Sequence, residues 1–513
     1  MIVDVVITGG GPNGLMLACE LALAGIRPIV LEALPEPSKE PKANGMLGQV
    51  VKLMERRGLH ERLSGSAEPP KPNSAYFMFA AMGLDLSLLE ESPLYIVPTP
   101  QQHILEVLEE RAVELGAEIR KGHEVAGLTQ DADTVTLDVT GPDGPYRLRA
   151  QYTVGADGAH SVTRKLAGIG FPGVTNDRTT TRMAHANVPA EWIDPASGAL
   201  NVPGHGPVRP FLPHRTDHGG FAYAPMPGQP ATIATTEWDQ PPAEGPMTFD
   251  ELTASIRRVL GVDVPLEEPT GDGPRLLRRL VNRNTRVADR FRDRRVFLVG
   301  DAAHIYSAGG AGLNLGLQDA ANLGWKLAAV IHGAPNDLLD TYDTERRPAA
   351  NRMIMYAEAQ SALIAPGGDV TALRQLFTEL LTDKSTVQRL ADLTAGSDVR
   401  YDLGGPAAHP LVGRFAPDMV LDTASGPVAL AELTTTARPL LLDLTEGGSM
   451  SEWGGQVDVV TGRSRTPGVS AMLIRPDCYV AWASSSPQPD AGELEALREA
   501  MRQWFGVEEP VGA

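Results

Sequence analysis

The chain has 513 residues, 42% hydrophobic and 21% charged, with 45 Lys and Arg against 64 Asp and Glu, a formal charge of −19. That length exceeds one ordinary core and predicts two or three domains, and the acidic balance excludes phosphate-backbone binding, which depends on basic clusters. Cys19 and Cys478 are the only cysteines; so far apart, they exclude a disulfide framework or a zinc site and point to a reducing cytoplasm.

Ile2 to Thr8 is a near-continuous apolar run, the pattern of a strand buried on both faces of a parallel sheet. No basic region precedes it and Gly9 to Gly11 interrupt it, so it reads as a strand rather than a leader. Nowhere is there an apolar run long enough to predict a membrane span. Leu15 to Ala24 has helical spacing that stops at Gly25, and Pro28 to Glu32 reads as the second strand. A loop-like stretch, Pro35 to Gly45, precedes a helix over Gln49 to Arg57. His103 to Ile119 is an amphipathic helix ended by Gly116, running into a strand, and a hairpin turns at Gly141 to Gly144. From about Arg178 to about Gly273 the chain is rich in Pro, Gly and Thr with short alternating strands such as GGFAYAPMP and ATIATTEW, which predicts an inserted, mostly β domain.

RRVFLVGDAAH, Arg294 to His304, restores the buried-strand pattern. Helices are predicted over Leu315 to His332 and about Leu338 to Leu363, with Pro348 a kink or boundary. A Gly and Pro linker near Asp402 to Gly413 leads to strand-like segments and a helix over Gly492 to Phe505. The expected division is therefore 1–177 and 274–400 as two parts of a nucleotide-binding α/β domain, the second with the long helices. Residues 178–273 form a β-rich substrate domain and 401–513 a final small α/β domain.

Three motifs carry chemistry. In Gly9-Gly10-Gly11-Pro12-Asn13-Gly14, Gly9 suits a tight turn, Gly11 lets the backbone approach a pyrophosphate, and Gly14 lets helix pack on sheet. The helix start offers free amides and a positive dipole end to phosphates, and Glu32 ends the second strand where an acid meets ribose hydroxyls and would repel a 2′-phosphate. The stretch Arg294 to Ala329 puts Asp301 at the carboxyl edge of the sheet, then a glycine loop, then a helix beginning near Asn314. A mononucleotide needs no such second station; a long bipartite ligand such as FAD does, with ADP at the first and the ribityl chain and ring at the second. A third buried strand ends at Asp157-Gly158, with Arg164 and Lys165 on the following helix.

Together these motifs resemble the single-component (group A) flavoprotein aromatic hydroxylases of the p-hydroxybenzoate hydroxylase fold. LLDTYDTERRPAA, Leu338 to Ala350, resembles the family's Tyr-x-x-Glu-Arg-x-Pro stretch. NLGWKLAA, Asn322 to Ala329, is similar to the branch that oxidises polyketide aromatics and antibiotics. The final segment looks like the thioredoxin-like domain of phenol hydroxylase relatives without its Cys-x-x-Cys pair, so no redox activity is assigned to it. The resemblance implies a Rossmann-like FAD-binding domain with an inserted β substrate domain and a C-terminal thioredoxin-like domain.

It further implies an ADP site at Gly9, Gly11, Pro12, Asn13, Gly14 and Glu32, with Lys42 and Gln102 near the cofactor. Asp157 would lie near the pyrophosphate and the nicotinamide path, Asp301 on the ribityl chain, and Gly312, Leu313 and Asn314 at the flavin ring edge. NADH or NADPH is the implied transient co-substrate, and a flavin C4a-hydroperoxide the species that hydroxylates a polycyclic aromatic, in a monomer or homodimer. Baeyer–Villiger or antibiotic-inactivating oxygenation on the same scaffold, and a non-catalytic flavin protein, are the alternatives.

Two departures stand out. Lys42-Ala43 replaces the usual Arg-Ala, losing the planar fork, and the loop after His304 is one residue shorter and lacks its proline. The β domain should roof the substrate cavity, with His214, Phe221, Tyr223, Met226 and Trp238 as facing candidates. No residue is singled out as a catalytic base; His304 reads as a loop-fixing residue.

Overall fold

Val5, Val6 and Ile7 are fully buried, as both faces of a central parallel strand require. In the computed structural model they lie in β1 (Ile2–Thr8), which runs through helix α1 (Pro12–Leu23) to β2 (Ile29–Glu32). The structure describes residues 2–38, 43–225, 230–241, 243–270, 275–307, 312–405, 408–446, 448, 450, 453, 457–464 and 468–506. Helix α1 begins at Pro12, three residues before its apolar spacing shows, because proline suits a first turn whose N–H has no acceptor.

After β3 (Gly45–Leu47) and helix α2 (Gln101–Glu114) come β4 (Glu118–Lys121) and a meander of β5 (Glu124–Gln130), β6 (Val135–Gly141) and β7 (Gly144–Gly155), then the short helix α3 (Val162–Leu166). The middle of the chain supplies β8 (Gly173–Asn176), β9 (Thr179–Ala186), β10 (His214–Thr216), β11 (Gly219–Ala224), β12 (Ala231–Trp238), helix α4 (Phe249–Leu260), β13 (Leu277–Leu280) and β14 (Arg283–Val287). It closes with β15 (Val296–Leu298), the two-residue β16 (His304–Ile305) and the long helices α5 (Gly312–Ile331) and α6 (Asp340–Ile364). Helix α6 runs through Pro348 rather than stopping there.

Strands β15, β7, β1, β2 and β4 pair parallel in that order, with β6 antiparallel on β7, inside an eight-stranded sheet. The carboxyl ends of β1, β7 and β15 therefore share one edge, where Gly9, Asp157 and Asp301 follow.

A second sheet, in the order β10-β11-β12-β9-β13, is antiparallel throughout. Its fifth strand lies beyond Gly273. Helix α4 covers one face, packing Leu252, Ile256 and Val259 against Phe221, Tyr223 and Ile233; each such fully buried side chain contributes about 1.5–3 kcal/mol. Within that layer the buried Glu237 accepts from Arg182 at 2.7 Å, Ser255 at 2.5 Å and Arg258 at 2.7 and 2.8 Å.

The C-terminal segment forms a mixed sheet ordered β18-β17-β19-β20, from β17 (Leu440–Asp443), β18 (Asp458–Thr461), β19 (Ala471–Ile474) and β20 (Val480–Ser484), flanked by helix α7 (Ala491–Phe505). One parallel and two antiparallel pairings give the thioredoxin-like arrangement. Both cysteines are free and buried. Among the described residues no helix is long and apolar enough to cross a membrane.

Candidate active site

Gly9 has φ +106°, and a Cβ there would fall 2.4 Å from the carbonyl oxygen of Ala156, one residue before Asp157. The first glycine turn thus lies directly on the Asp157 turn. A Cβ on Gly14 would fall 2.1 Å from Gly9 O, whereas one on Gly11 would meet nothing within 4 Å. The space in front of Gly11 is open, at the end of a helix whose first internal bond is Leu15 N to Gly11 O. The amides of Asn13 and Gly14 in that first turn have no acceptor within the helix. Glu32 is held over the turn: Gly10 N donates to Oε2 at 2.7 Å and Leu34 N to Oε1 at 2.8 Å. Each carboxylate oxygen retains capacity for one more donor, as a ribose hydroxyl would supply.

The second motif closes against the first through Asn13. Its amide is wedged between two glycines, so a Cβ on Gly300 would fall 1.9 Å from Asn13 Nδ2, and one on Gly316 2.4 Å from it. Further along the same crossing, Gly324 lies against Glu20, where a Cβ would come within 2.5 Å of the Glu20 Cβ. Glycines of α5 thereby let α1 approach closely. Asp301 is exposed beside the start of α5, with a Cβ on Gly312 falling 3.5 Å from its Oδ1. Asn314 Oδ1 accepts from Leu47 N at 3.1 Å, tying β3 to that first turn. Gly312, Leu313 and Asn314 present the helix-start amides, a donor set for an electron-rich ring edge.

Behind this edge lies a buried ion network. Asp319 Oδ2 binds His304 Nε2 at 2.6 Å and accepts from Gly300 N at 3.2 Å, while Oδ1 accepts from Arg346 Nε at 2.8 Å. Burial pushes the Asp319 carboxyl up, but His304 and Arg346 outweigh it and hold the group below its ordinary range. His304 therefore anchors the segment that follows Asp301. Arg164, from the third motif, donates to Ala302 O at 2.9 Å, so all three motifs are stapled together.

Asp157 accepts from Ser161 Oγ at 2.5 Å, Thr163 N at 2.9 Å and Thr163 Oγ1 at 3.0 Å. Its carboxylate is committed to shaping this turn, against which Gly9 rests. Gln102 is exposed on the first turn of α2, where Gln101 N bonds Ala43 O at 2.9 Å. Lys42 and Met226 lie outside the described residues, as do residues 308–311 of the loop after His304.

The candidates on the β sheet divide by strand parity. His214 pairs with Phe221 and Tyr223 with Ile233 across their strands, and this set faces α4. The cavity-facing role expected of Phe221, Tyr223 and His214 is thus corrected to packing on the helix-covered face, since aromatic bulk at alternate positions serves a core equally well. Burial and then the nearby His205 hold His214 below the usual histidine range.

The opposite face carries Gly220, Ala222 and Ala224 of β11, Thr232, Ala234 and Thr236 of β12, and Thr181, Met183 and His185 of β9, with Trp238 at its end. It is turned toward the end of α6: a Cβ on Gly220 would lie 3.9 Å from Ile364, and Arg215 Nε donates to Ala365 O at 2.9 Å. Small residues alternating with aromatics were the signal for this face.

Residues 2–357 match the family model described as FAD binding domain, and residues 409–507 that of the aromatic-ring hydroxylase C-terminal domain. The chain belongs to the FAD-dependent aromatic-ring hydroxylases. The glycine turn, the open space before Gly11 and the second helix start fit that cofactor, and the enzyme binds FAD.

It is 40% identical to a 12-dehydrotetracycline 5-monooxygenase/anhydrotetracycline 6-monooxygenase of Streptomyces rimosus subsp. rimosus, covering 98% of this chain and 99% of that one. A rifampicin monooxygenase of Streptomyces venezuelae is 37% identical, over 98% and 99% of the two chains. The solved structure of an anhydrotetracycline hydroxylase from Streptomyces rimosus superposes with a TM-score of 0.84 at 39% identity, covering 99% of this chain and 100% of that one.

Proposed function

We propose that the enzyme hydroxylates a polycyclic aromatic of the anhydrotetracycline kind, using NAD(P)H and O₂ in the cytoplasm. The observation that carries this reading is the meeting of the two motifs through Asn13, and the Gly220, Ala222 and Ala224 face of the second sheet supports it by leaving one side of that sheet free of bulky side chains on β11. Bound FAD supplies hydride acceptance and oxygen activation. The chain's own part is to hold the pyrophosphate on the α1 amides, the ribose on Glu32, the ribityl chain at Asp301 and the ring edge on the first turn of α5. The Ala222 face roofs the ring and keeps water out.

Purified holoenzyme given anhydrotetracycline should consume NADPH faster than without it and yield a product one oxygen heavier, whose NMR spectrum shows a new carbon–hydroxyl bond. Unchanged NADPH consumption across a panel of polycyclic phenols would remove the hydroxylase reading, and an ester or lactone product would replace it with Baeyer–Villiger oxygenation.

Strand parity makes a second prediction. Ala222→Phe should raise the KM for the polycycle at least tenfold while leaving FAD content and the thermal midpoint near wild type. Phe221→Ala, one residue away, should cost about 3–5 kcal/mol of stability and leave the KM of the folded fraction within about twofold. Thermal melts and steady-state kinetics on the pair read both; a reversed pattern would put the substrate on the α4 side.

A further inference from the structure

Several buried arginines of this protein are answered by acids, and buried Arg164 by the carbonyl oxygens of Ala302 and Ala159. Arg57 meets Glu20, Arg182 meets Glu237, Arg346 meets Asp319 and Arg475 meets Glu345. Arg283, at the start of β14, differs from these. It is partly buried, and among the described residues its guanidinium has no carboxylate or hydrogen-bond partner. Burial, and then the like charge of Arg278, holds it below the usual arginine range.

Arg278 is in a similar position. Its Nε donates to Met183 Sδ at 3.4 Å, on the small-residue face of the sheet, and among the described residues no acid pairs with it. The adjacent Arg279 points to the other face and pairs with Glu251. Among the described residues, the acid partner of β13 therefore lies on its α4 side and none lies on the Met183 side.

Arg283 shares its face of β14 with Thr285 and Val287. Thr285 Oγ1 donates to Ser307 Oγ at 2.9 Å, on the segment leading into α5, and Val287 pairs with His304. The two arginines thus stand between the roof sheet and the flavin-end motif. A desolvated guanidinium without a counter-charge is costly and becomes favourable once an anion fills its fork.

We propose that Arg283, with Arg278 beside it, is the subsite for an anionic oxygen of the substrate, an ionised phenol or enol of the polycycle. This rests on the hydroxylase reading above. The guanidinium pair draws the phenol toward its phenolate, with the proton released to solvent, and so delivers to the cleft a ring richer in electrons at the positions an electrophilic oxygen attacks. The same pair orients the ring, since a planar fork donates to an oxygen only along the directions its N–H groups point.

The test uses FAD-loaded full-length protein and 2-hydroxyanthraquinone, whose phenolate absorbs at longer wavelength than its phenol, so binding and ionisation are seen without turnover. Wild type should bind it with the ionisation midpoint lowered by about one pH unit, as a nearby opposite charge does. Arg283→Met should weaken binding at least tenfold and restore the free midpoint, Arg283→Lys should keep part of both effects, and Arg278→Met should act in the same direction but less. FAD content and thermal midpoint report folding.

Binding and midpoint unchanged in Arg283→Met would overturn the proposal, as would failure of wild type to bind the probe. An equal loss for neutral 2-methylanthraquinone would do the same by showing a purely steric role. A KM increase confined to NADPH, absent with NADH, would assign the pair to the nucleotide phosphate instead. Arginine-dependent binding without turnover of any polycycle would leave the subsite standing and remove only the hydroxylase reading.

Discussion

Gly14→Ala is expected to purify colourless and to gain no flavin absorbance on dialysis against FAD. The added methyl would sit 2.1 Å from Gly9 O and 3.2 Å from the Ala156 side chain. Gly9 cannot retreat: its amide bonds Leu31 O at 2.7 Å, its φ is +106°, and it already lies on the Ala156 carbonyl. The helix start must therefore lift from the sheet edge, taking with it the amides proposed to face the phosphates and the Gly10–Glu32 bond. Backbone strain and packing faults of this kind cost about 2–4 kcal/mol, or roughly 30- to 1000-fold in the FAD dissociation constant. Gly11→Ala is the informative partner. Nothing lies within 4 Å of its added methyl, so the apoprotein should melt at the wild-type temperature while FAD binds more weakly. Flavin fluorescence titrations and apoprotein melts separate the two cases. A Gly14→Ala protein that keeps its yellow colour would mean the turn does not seat the pyrophosphate.

Much of this was legible because glycine spacing and apolar runs are local signals. Gly9, Gly14, Gly300 and the strands before them follow from short-range sterics and burial on two faces. What held the motifs together was not legible, since the partners lie far apart in sequence. Asn13 reads as an ordinary helix-start residue until Gly300 and Gly316 close on it. Asp157 is placed by the resemblance near the pyrophosphate and the nicotinamide path; that the Ser161 and Thr163 donors four and six residues on also hold its carboxylate is visible only in the fold. On the β sheet, the aromatic Phe221 and Tyr223 are the conspicuous candidates in the sequence, while period-two alternation puts them on the α4 face and leaves Ala222 and Ala224 on the opposite one. NLGWKLAA, the stretch similar to the polyketide-oxidising branch, is also a docking strip: Asn322, Trp325 and Lys326 face the C-terminal domain. The unanswered charge of Arg283 could not be seen at all, because a missing partner is a property of three dimensions.

That docking strip yields the largest expected effect on stability. Arg475, fully enclosed, donates to both oxygens of Glu345 at 2.8 Å and to Asp477 at 3.1 and 2.5 Å. Lys326 Nζ adds a 2.7 Å contact to Glu345, and Asn322 bridges Glu345 at 2.7 Å and Asp477 at 3.0 Å. Arg475→Met leaves two buried carboxylates facing one lysine, itself drawn down to about 8 by burial against the pull of Glu345. Breaking a buried pair from one side costs about 3–5 kcal/mol, whereas exchanging the whole cluster for apolar side chains can be neutral. The variant should therefore release the C-terminal domain to limited proteolysis and change tryptophan fluorescence, since Arg475 lies 5.2 Å from the Trp325 ring and 4.7 Å from that of Trp504.

The pH dependence follows with a definite sign. Burial alone would raise Glu345, but Arg475 and Lys326 outweigh it and hold it down to about 2, against an ordinary 4.5. A carboxyl depressed on folding binds fewer protons than in the unfolded chain, so its contribution is complete above about pH 4.5 and drains away as pH falls toward 2. Wild type should keep the domain docked to below pH 4.5, and Arg475→Met should lose it at higher pH. Superimposable acid profiles would show that the cluster does not hold the domains together. Because Arg346, next to Glu345, anchors both Asp319 and Tyr401, undocking should also loosen the His304 segment and weaken FAD binding severalfold. In that way a domain with no assigned redox chemistry would stabilise the edge proposed to seat the flavin ring.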